Sequence, residues 1–538
     1  MTVLKITTLK TFRKGGLFAG ASLIALALAG LASPALAQSL RLGMASAPTS
    51  IDPHFHANGT NIGMTGQVFE GLTWKDENMR PHPALAESWS VEGDTIWTFK
   101  LRPGVKFHDG SPFTAHDVAF TFERIPTVVD SPSPFTARLA EVKAFRVIDD
   151  LTFEIETEAA APNLPINLAD VQIISREVGE GKVTADYITG GAMVGTGPYK
   201  FVRANIGEVY EFARNEEYWG GMPAWETVTH TVIGSDPARI GALLAGEVDL
   251  IESVAPTDVE TLSANANMRL WSVATNRIVF VALDVEHETP IPGQAMDNAG
   301  NPLPTNPMLD QRVRHAMSMA IDRQGLVERG LSNAAFPASQ VVPEGMFGFN
   351  PDIGVEKYDV EGAKALLAEA GYPEGFQLRL TTSNDDSQRA RAAQAVAQMW
   401  TRVGLKTEVE LMPHSVFIPK TNDFEYAHMI HSWGTSTGEA AYTLRGIAGT
   451  RDLPNGVGTS NRGRYSNPEM DALVNKASAT VDDAAREKML QDAMVMVVND
   501  YGLIPLYSPK ATWASNAKVS YTPSTANITS AMFAKPAQ

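Results

Sequence analysis

Residues 359–411 read DVEGAKALLAEAGYPEGFQLRLTTSNDDSQRARAAQAVAQMWTRVGLKTEVEL. Two periodicities alternate along this stretch, and their order decides the fold. Asp359 has the chemistry of an N-cap ahead of Ala363, Leu366, Leu367 and Ala370, which share one helical face, and Gly371 ends that run. Phe376 to Thr382 then alternates apolar and polar residues, the period of a strand with one buried face. Residues 387–403 return to the helical period and stop at Gly404, and residues 406–411 alternate again. Helix, strand, helix, strand is the order of an α/β lobe with a largely parallel sheet.

Working outward, other helices announce their own ends. Thr114 and Asp117 form a capping-box variant before Val118, Ala119 and Phe122, and Pro126 stops the run. Asp236-Pro237 supplies an N-cap and a first-turn proline, Ile240, Leu243 and Leu244 follow on one face, and Gly246 closes it. Val248 to Ile251 reads as a short buried strand. Asp310 caps a helix with Val313, Ala316, Met317 and Ala320 on its apolar face, Asn467-Pro468 opens another, and residues 482–498 form a further one. Thr95 to Leu101 and Phe145 to Glu156 read as strands with few helices between them, which suggests an inserted α+β subdomain near 79–190. Residues 286–307 are rich in Pro, Asn and Gly without periodicity and read as a loop near a domain junction.

Composition bounds the function. The chain has 538 residues, too many for one core, and carries a formal net charge of -17 from 44 Lys plus Arg against 61 Asp plus Glu. An acidic chain lacks the basic footprint that nucleic-acid phosphates require. Cysteine is absent, which excludes disulfides, thiolate metal sites, cysteine nucleophiles and a lipid-modified cysteine.

Residues 1–37 read as an export signal. Lys5, Lys10, Arg13 and Lys14 precede an apolar run from Gly16 to Leu31, and Ala35-Leu36-Ala37 is a small-x-small site, predicting cleavage between Ala37 and Gln38. The run is shorter than the roughly 20 residues that span a bilayer. The expected location is the periplasm of a Gram-negative cell.

Catalytic patterns do not accumulate. Gly190 to Gly197 is glycine-rich but has neither the Lys-Ser/Thr of a phosphate loop nor the G-x-G-x-x-G order. There is no G-x-S-x-G and no H-E-x-x-H. His54 and His56, and His428 and His431, are the closest histidine pairs; on a strand the latter two point to opposite faces and chelate poorly. Acid pairs such as Asp149-Asp150 and Asp482-Asp483 fit an acidic surface. No cofactor and no metal is expected.

Residues 84–125 run from Ala-Leu-Ala-Glu-Ser-Trp through Phe-Lys-Leu-Arg-Pro-Gly-Val-Lys-Phe-His-Asp-Gly-Ser-Pro-Phe-Thr-Ala-His-Asp-Val-Ala-Phe-Thr-Phe-Glu-Arg. Further strings follow in order: Gly195 to Tyr199, Asn215 to Trp219, LLAGEVDLI over 243–251, DQRVRHAMSMAID over 310–322, AKALLAEAGYPEGF over 363–376, Tyr465 to Pro468 and Ile504 to Tyr507. This set resembles the family 5 extracellular solute-binding proteins, the dipeptide-, oligopeptide- and nickel-binding components of ABC importers. The resemblance implies an α/β, two-lobed periplasmic-binding-protein clamshell with an extra α+β subdomain in lobe I. Lobe I would comprise 38–78, 191–283 and 505–538, the subdomain 79–190, and lobe II 284–504. It implies a protein that captures a peptide or peptide-sized polar solute and delivers it to an inner-membrane permease and its ATPases. An oligosaccharide or opine-like solute is the runner-up. A nickel chelate, a chemoreceptor-coupled sensor and a secreted hydrolase rank lower. A monomer is expected.

In the family, ligand contacts come from the loop after the first strand and from facing loops of lobe II. Those loops hold His54, Asn58, Thr60 and Asn61 on one side, and Ser383, Asn384, Asp385, Trp433, Gly434, Thr435, Glu439 and Arg445 on the other. Trp433 reads either as an apolar cleft wall or as a core aromatic, and Arg445 either as a carboxylate partner or as a surface arginine. Two departures bear on the solute. Peptide-binding relatives place an Asp after the Trp-Gly pair to meet the ligand ammonium, where this chain has Thr435 to Glu439, with Glu439 as the substitute. Dipeptide binders place an Arg in the loop matching 382–387, whereas here Arg389 falls on the following helix.

Overall fold

The computed structural model describes residues 38–537, and the export signal expected over 1–37 lies outside the described residues. A mixed sheet of thirteen strands runs through the molecule. In its first half Ser39–Met44 lies parallel to both Thr227–Val232 and Leu250–Ile251, and the hairpin of Tyr199–Asn205 and Val209–Arg214 extends one edge. In its second half Phe376–Ser383 lies parallel to Leu405–Met412 and His428–Gly434. Arg277–Leu283 runs antiparallel to His428–Gly434.

One 14-residue strand, Leu503–Asn516, joins the halves. Its first residues pair with Arg277–Leu283 and its last with Met268–Ala274 and Leu250–Ile251. The chain thus crosses twice, side by side, at Thr275-Asn276 and at Pro509, where the Thr275 amide donates to the Pro509 carbonyl at 2.9 Å. The sheet is therefore not largely parallel, as the helix–strand order predicts. The two crossing segments run in opposite directions and pair antiparallel on both sides of the crossing.

Both faces of the second half are covered. Val279, Val281 and Leu283 pack with Leu367, Phe376, Trp400, Leu405, Ile504 and Leu506. Ile278, Phe280 and Ala282 pack on the other face with Met429, Leu444, Leu490 and Val497. Burial on both faces explains why 278–283 is continuously apolar instead of alternating. It also places Ile278–Leu283, Leu506 and Tyr507 in the second half's core. One crossing is a two-residue break between Met268–Ala274 and Arg277–Leu283, and the other lies within the continuous strand Leu503–Asn516.

The first half has its own core around Leu40, Leu42, Phe69, Tyr199, Tyr210 and Trp513. The insertion is a four-stranded antiparallel sheet of Ala86–Glu92, Ile96–Leu101, Thr152–Thr157 and Val142–Asp149 under the Ala115–Arg124 helix, around Trp97, Phe99, Phe122, Phe153 and Ile155. Caps sit where residue chemistry places them. Asp310 accepts from the Arg312 amide at 2.9 Å, Asp359 from Gly362 at 2.8 Å, and Asn467 from Met470 at 3.0 Å. Ser235, not Asp236, is the cap of Asp236–Ala245, since the proline follows one position later than an Asp cap would place it.

The glycine-rich stretch 190–197 is a close backbone crossing. A Cβ on Gly195 would sit 2.0 Å from the Val68 carbonyl oxygen, and one on Gly197 2.6 Å from it. Gly195→Ala is expected to destabilise by about 1–3 kcal/mol through backbone displacement. The urea midpoint should fall with the slope unchanged; an unchanged midpoint would show that the crossing yields freely.

Candidate functional site

Parallel strands gather ligands beyond their carboxyl ends. Phe376–Ser383 and His428–Gly434 end at one edge, beside Arg277, whose Cα partner is Gly434. Ser39–Met44, Thr227–Val232 and Leu250–Ile251 end at the corresponding edge of the first half. The double crossing at Asn276 and Pro509 links the two edges.

The second edge carries the more concentrated chemistry. The Ser387–Arg402 helix starts there, capped by Asp386, which accepts from Gln388 and Arg389 amides. Arg389, in the first turn and 7% exposed, folds back to the strand ends. Its Nη2 donates to Ser383 Oγ and to Asp385 Oδ1, both at 2.7 Å, and its Nη1 reaches Ser432 Oγ at 3.5 Å. Its Nε is buried without a partner among the described residues. Burial pushes Asp385 up, but the Ser383 hydroxyl and Arg389 outweigh it and hold the carboxyl below its usual range.

His431 sits one strand over, its ring 4.8 Å from that of Phe417. Its Nε2 has no partner, and it is held neutral to about 3, first by burial and then by the charges of Arg462 and Arg389. Trp433 is half-buried, stacked on Tyr442 at 5.3 Å with its edge against Gly446, and its Nε1 is likewise unpartnered. Unpaired buried N–H groups carry a desolvation cost that a bound acceptor would remove.

The residues singled out from sequence divide sharply. Ser383, Asp385, Trp433 and Gly434 gather at this edge. Asn384 is exposed beside them, its amide on the Met412 carbonyl. Thr435 is buried, with its hydroxyl on the Glu439 carbonyl. Arg445 is held by Asn475 Oδ1 and the Asn455 carbonyl.

On the first half, His54 is enclosed, with Nε2 on the Gln172 carbonyl and Nδ1 on Arg124. Asn58 caps the Gly59–Thr65 helix. Asn61 is buried and bonded to Thr49 and the Ser50 carbonyl, which spends its amide internally. Thr60 is half-exposed on the same helix.

Glu439 is also spent. Its carboxylate pairs with Arg486 and accepts from Asn163 at 3.1 Å, in a seat closed by Met79, Phe347 and Gly438. That seat leaves a cavity of about 20 Å³, room for about one water. Glu439 therefore clasps the insertion to the second half and is not free for a ligand ammonium.

Arg389, His431 and Ser432 were missed. The only signal for Arg389 was its i,i+4 spacing from Asp385, which on a helix start turns the guanidinium back toward the strand end. Among the described residues no three His, Cys, Asp or Glu converge as a metal site requires, and no helix is long and apolar enough to cross a membrane.

The family described as bacterial extracellular solute-binding proteins, family 5 middle, matches residues 80–454. The chain belongs to that family. This solute-binding protein is 26% identical over 491 residues to heme-binding protein A of Haemophilus influenzae, covering 86% of this chain and 85% of that one. It is 25% identical over 489 residues to the periplasmic murein peptide-binding protein MppA of Escherichia coli, covering 86% of each. The unliganded open form of MppA shares its fold, with a TM-score of 0.81 over 93% of this chain and 98% of that one at 23% identity. The α/β two-lobed architecture expected from the sequence is thus the architecture of this solute-binding protein.

Proposed function

We propose that this protein receives a carboxylate-bearing, peptide-sized solute between its two sheet edges and presents it to the inner-membrane permease of an ABC importer. The observation that carries the reading is Arg389. It is a buried guanidinium at the carboxyl ends of two parallel strands, fixed by Ser383 and Asp385, with one N–H unspent. Guanidinium forks match carboxylates in shape and charge. The unpaired Nε–H of Arg389 and the indole N–H of Trp433 offer donors to such a carboxylate. The likeness to the murein peptide-binding protein of Escherichia coli supports the same class.

The lobes would pivot at Thr275-Asn276 and Pro509, and the lobe limits would fall there. A solute that touches both edges favours closure by its differential affinity for the closed state. Binding and closure suffice for this role, so no chemical step is invoked. The export signal at 1–37 would take the protein to the periplasm, where a monomer would work alone.

Calorimetric titration with di- and trialanine tests the reading. Arg389→Gln is expected to weaken binding about tenfold to a hundredfold, the value of a charge-assisted hydrogen bond. Affinity unchanged within twofold would remove Arg389 from the site.

A further inference from the structure

Beyond Trp433 the second half carries arginines with no acid to pair with. Loop 458–462 lies on the segment that Trp433 packs against: the Gly458 amide donates to the Arg445 carbonyl at 2.8 Å, and the Ser460 amide to the Gly446 carbonyl at 2.9 Å. Arg462 closes this loop. One of its amino groups donates to the Thr459 carbonyl at 2.6 Å, while its Nε is buried and unpartnered.

Among the described residues no carboxylate lies within salt-bridge distance of Arg462, Arg451 or Arg445. Arg451 stands over the Phe424 ring at 4.5 Å, and its charge bears on Arg462. Arg464 shares the same ring at 4.4 Å but is neutralised by Glu286 at 2.7 Å. Of the three, Arg451 is exposed and Arg462 is half-buried. Burying one without a counter-charge is costly unless a ligand supplies it.

The loop meets the strand-end site through Gly446, which takes the Ser460 amide and packs against the Trp433 ring. We propose that Arg462, with Arg451 behind it, binds a second acidic group of the solute, so that the preferred ligand is a peptide with an acidic side chain. The inference rests on the peptide reading above and adds its charge class. Trp433 would lie between the two anionic ends and contribute its N–H.

The test uses the full mature protein and a panel of di- and tripeptides in which one position is Glu, Gln or Lys. Affinities are read by calorimetry and thermal shift. Glu peptides are expected to bind about tenfold or more tighter than their Gln partners, and Lys peptides weaker than both. Arg462→Gln should erase the Glu-over-Gln preference while leaving the melting temperature near wild type. Arg462→Lys should restore part of it.

Equal binding of Glu and Gln peptides, or a preference that survives Arg462→Gln, overturns the second acidic subsite and leaves the peptide reading standing. Failure of every peptide to bind overturns the peptide reading and the acidic subsite with it.

Discussion

Arg124→Ala is expected to cost about 3–5 kcal/mol of stability, because it leaves a carboxylate buried without its counter-charge. Arg124 ends the Ala115–Arg124 helix of the insertion and reaches into the first half. Its two amino groups meet Asp52 at 3.0 and 2.7 Å, one of them also meets His54 Nδ1 at 2.8 Å, and its guanidinium lies over Tyr187 at 4.6 Å. Thr184 Oγ1 gives Asp52 another donor at 2.7 Å.

Burial pushes Asp52 up, yet the Arg124 bonds and charge prevail and hold it below the usual carboxylate range. Urea unfolding of Arg124→Ala should show the loss, and the paired Asp52→Leu, Arg124→Met protein should regain most of it, since a well-packed apolar pair replaces a buried ion pair at little cost. Equal losses in single and double variants would mean that the site is held by shape and not by charge.

Stability is expected to fall steeply below pH 6.5. His54, His230 and His428 are each no more than 1% exposed, and burial, joined at His54 by the Arg124 charge, lowers them to about 4, about 3 and about 4. All three stay neutral in the fold, whereas the unfolded chain protonates them near pH 6.5. Their folded values are depressed, so their contribution is whole above pH 6.5 and is lost as the pH falls toward 4. Glu70, pushed up to about 6 by burial against bonds from Trp219, Tyr218 and Thr196, acts in the opposite direction between its folded and ordinary values.

These four groups alone take up about two protons on unfolding near pH 5, about 3 kcal/mol per pH unit, and His431 and His108, lowered to about 3 and about 4, steepen the slope. Melting temperatures from pH 7 to pH 5 check it. A flat profile would mean that these rings are protonated in the fold. His230, with neither ring nitrogen bonded and the Phe212 ring 5.6 Å away, is the hardest of the three to charge.

Legibility followed sequence distance. Asp310, Asp359 and Asn467 act on amides two or three residues away, so their capping roles could be read directly. Gly246 and Gly371 sit at positive φ where a helix ends, and the strand Phe376–Ser383 shows its period within eight residues.

The candidate site was read less well because its contacts span far more chain. His54 looked like a loop ligand until Arg124, 70 residues away, took its Nδ1. Glu439 looked like a free acid until Arg486, 47 residues on, and Asn163, 276 residues back, closed over it. Arg389 was set aside for lying on a helix, yet the first turn of that helix is where a long side chain returns to the strand end.

The strand Leu503–Asn516 has a consequence for biosynthesis. It forms ladders with strands of both halves, so neither sheet is complete until residue 516 has been made. A chain emerging from the ribosome therefore holds two unfinished cores and cannot lock its first half early, as chains with sequential domains do. The same topology that joins the two halves defers the closing of both sheet regions until nearly all of the polypeptide has been synthesised.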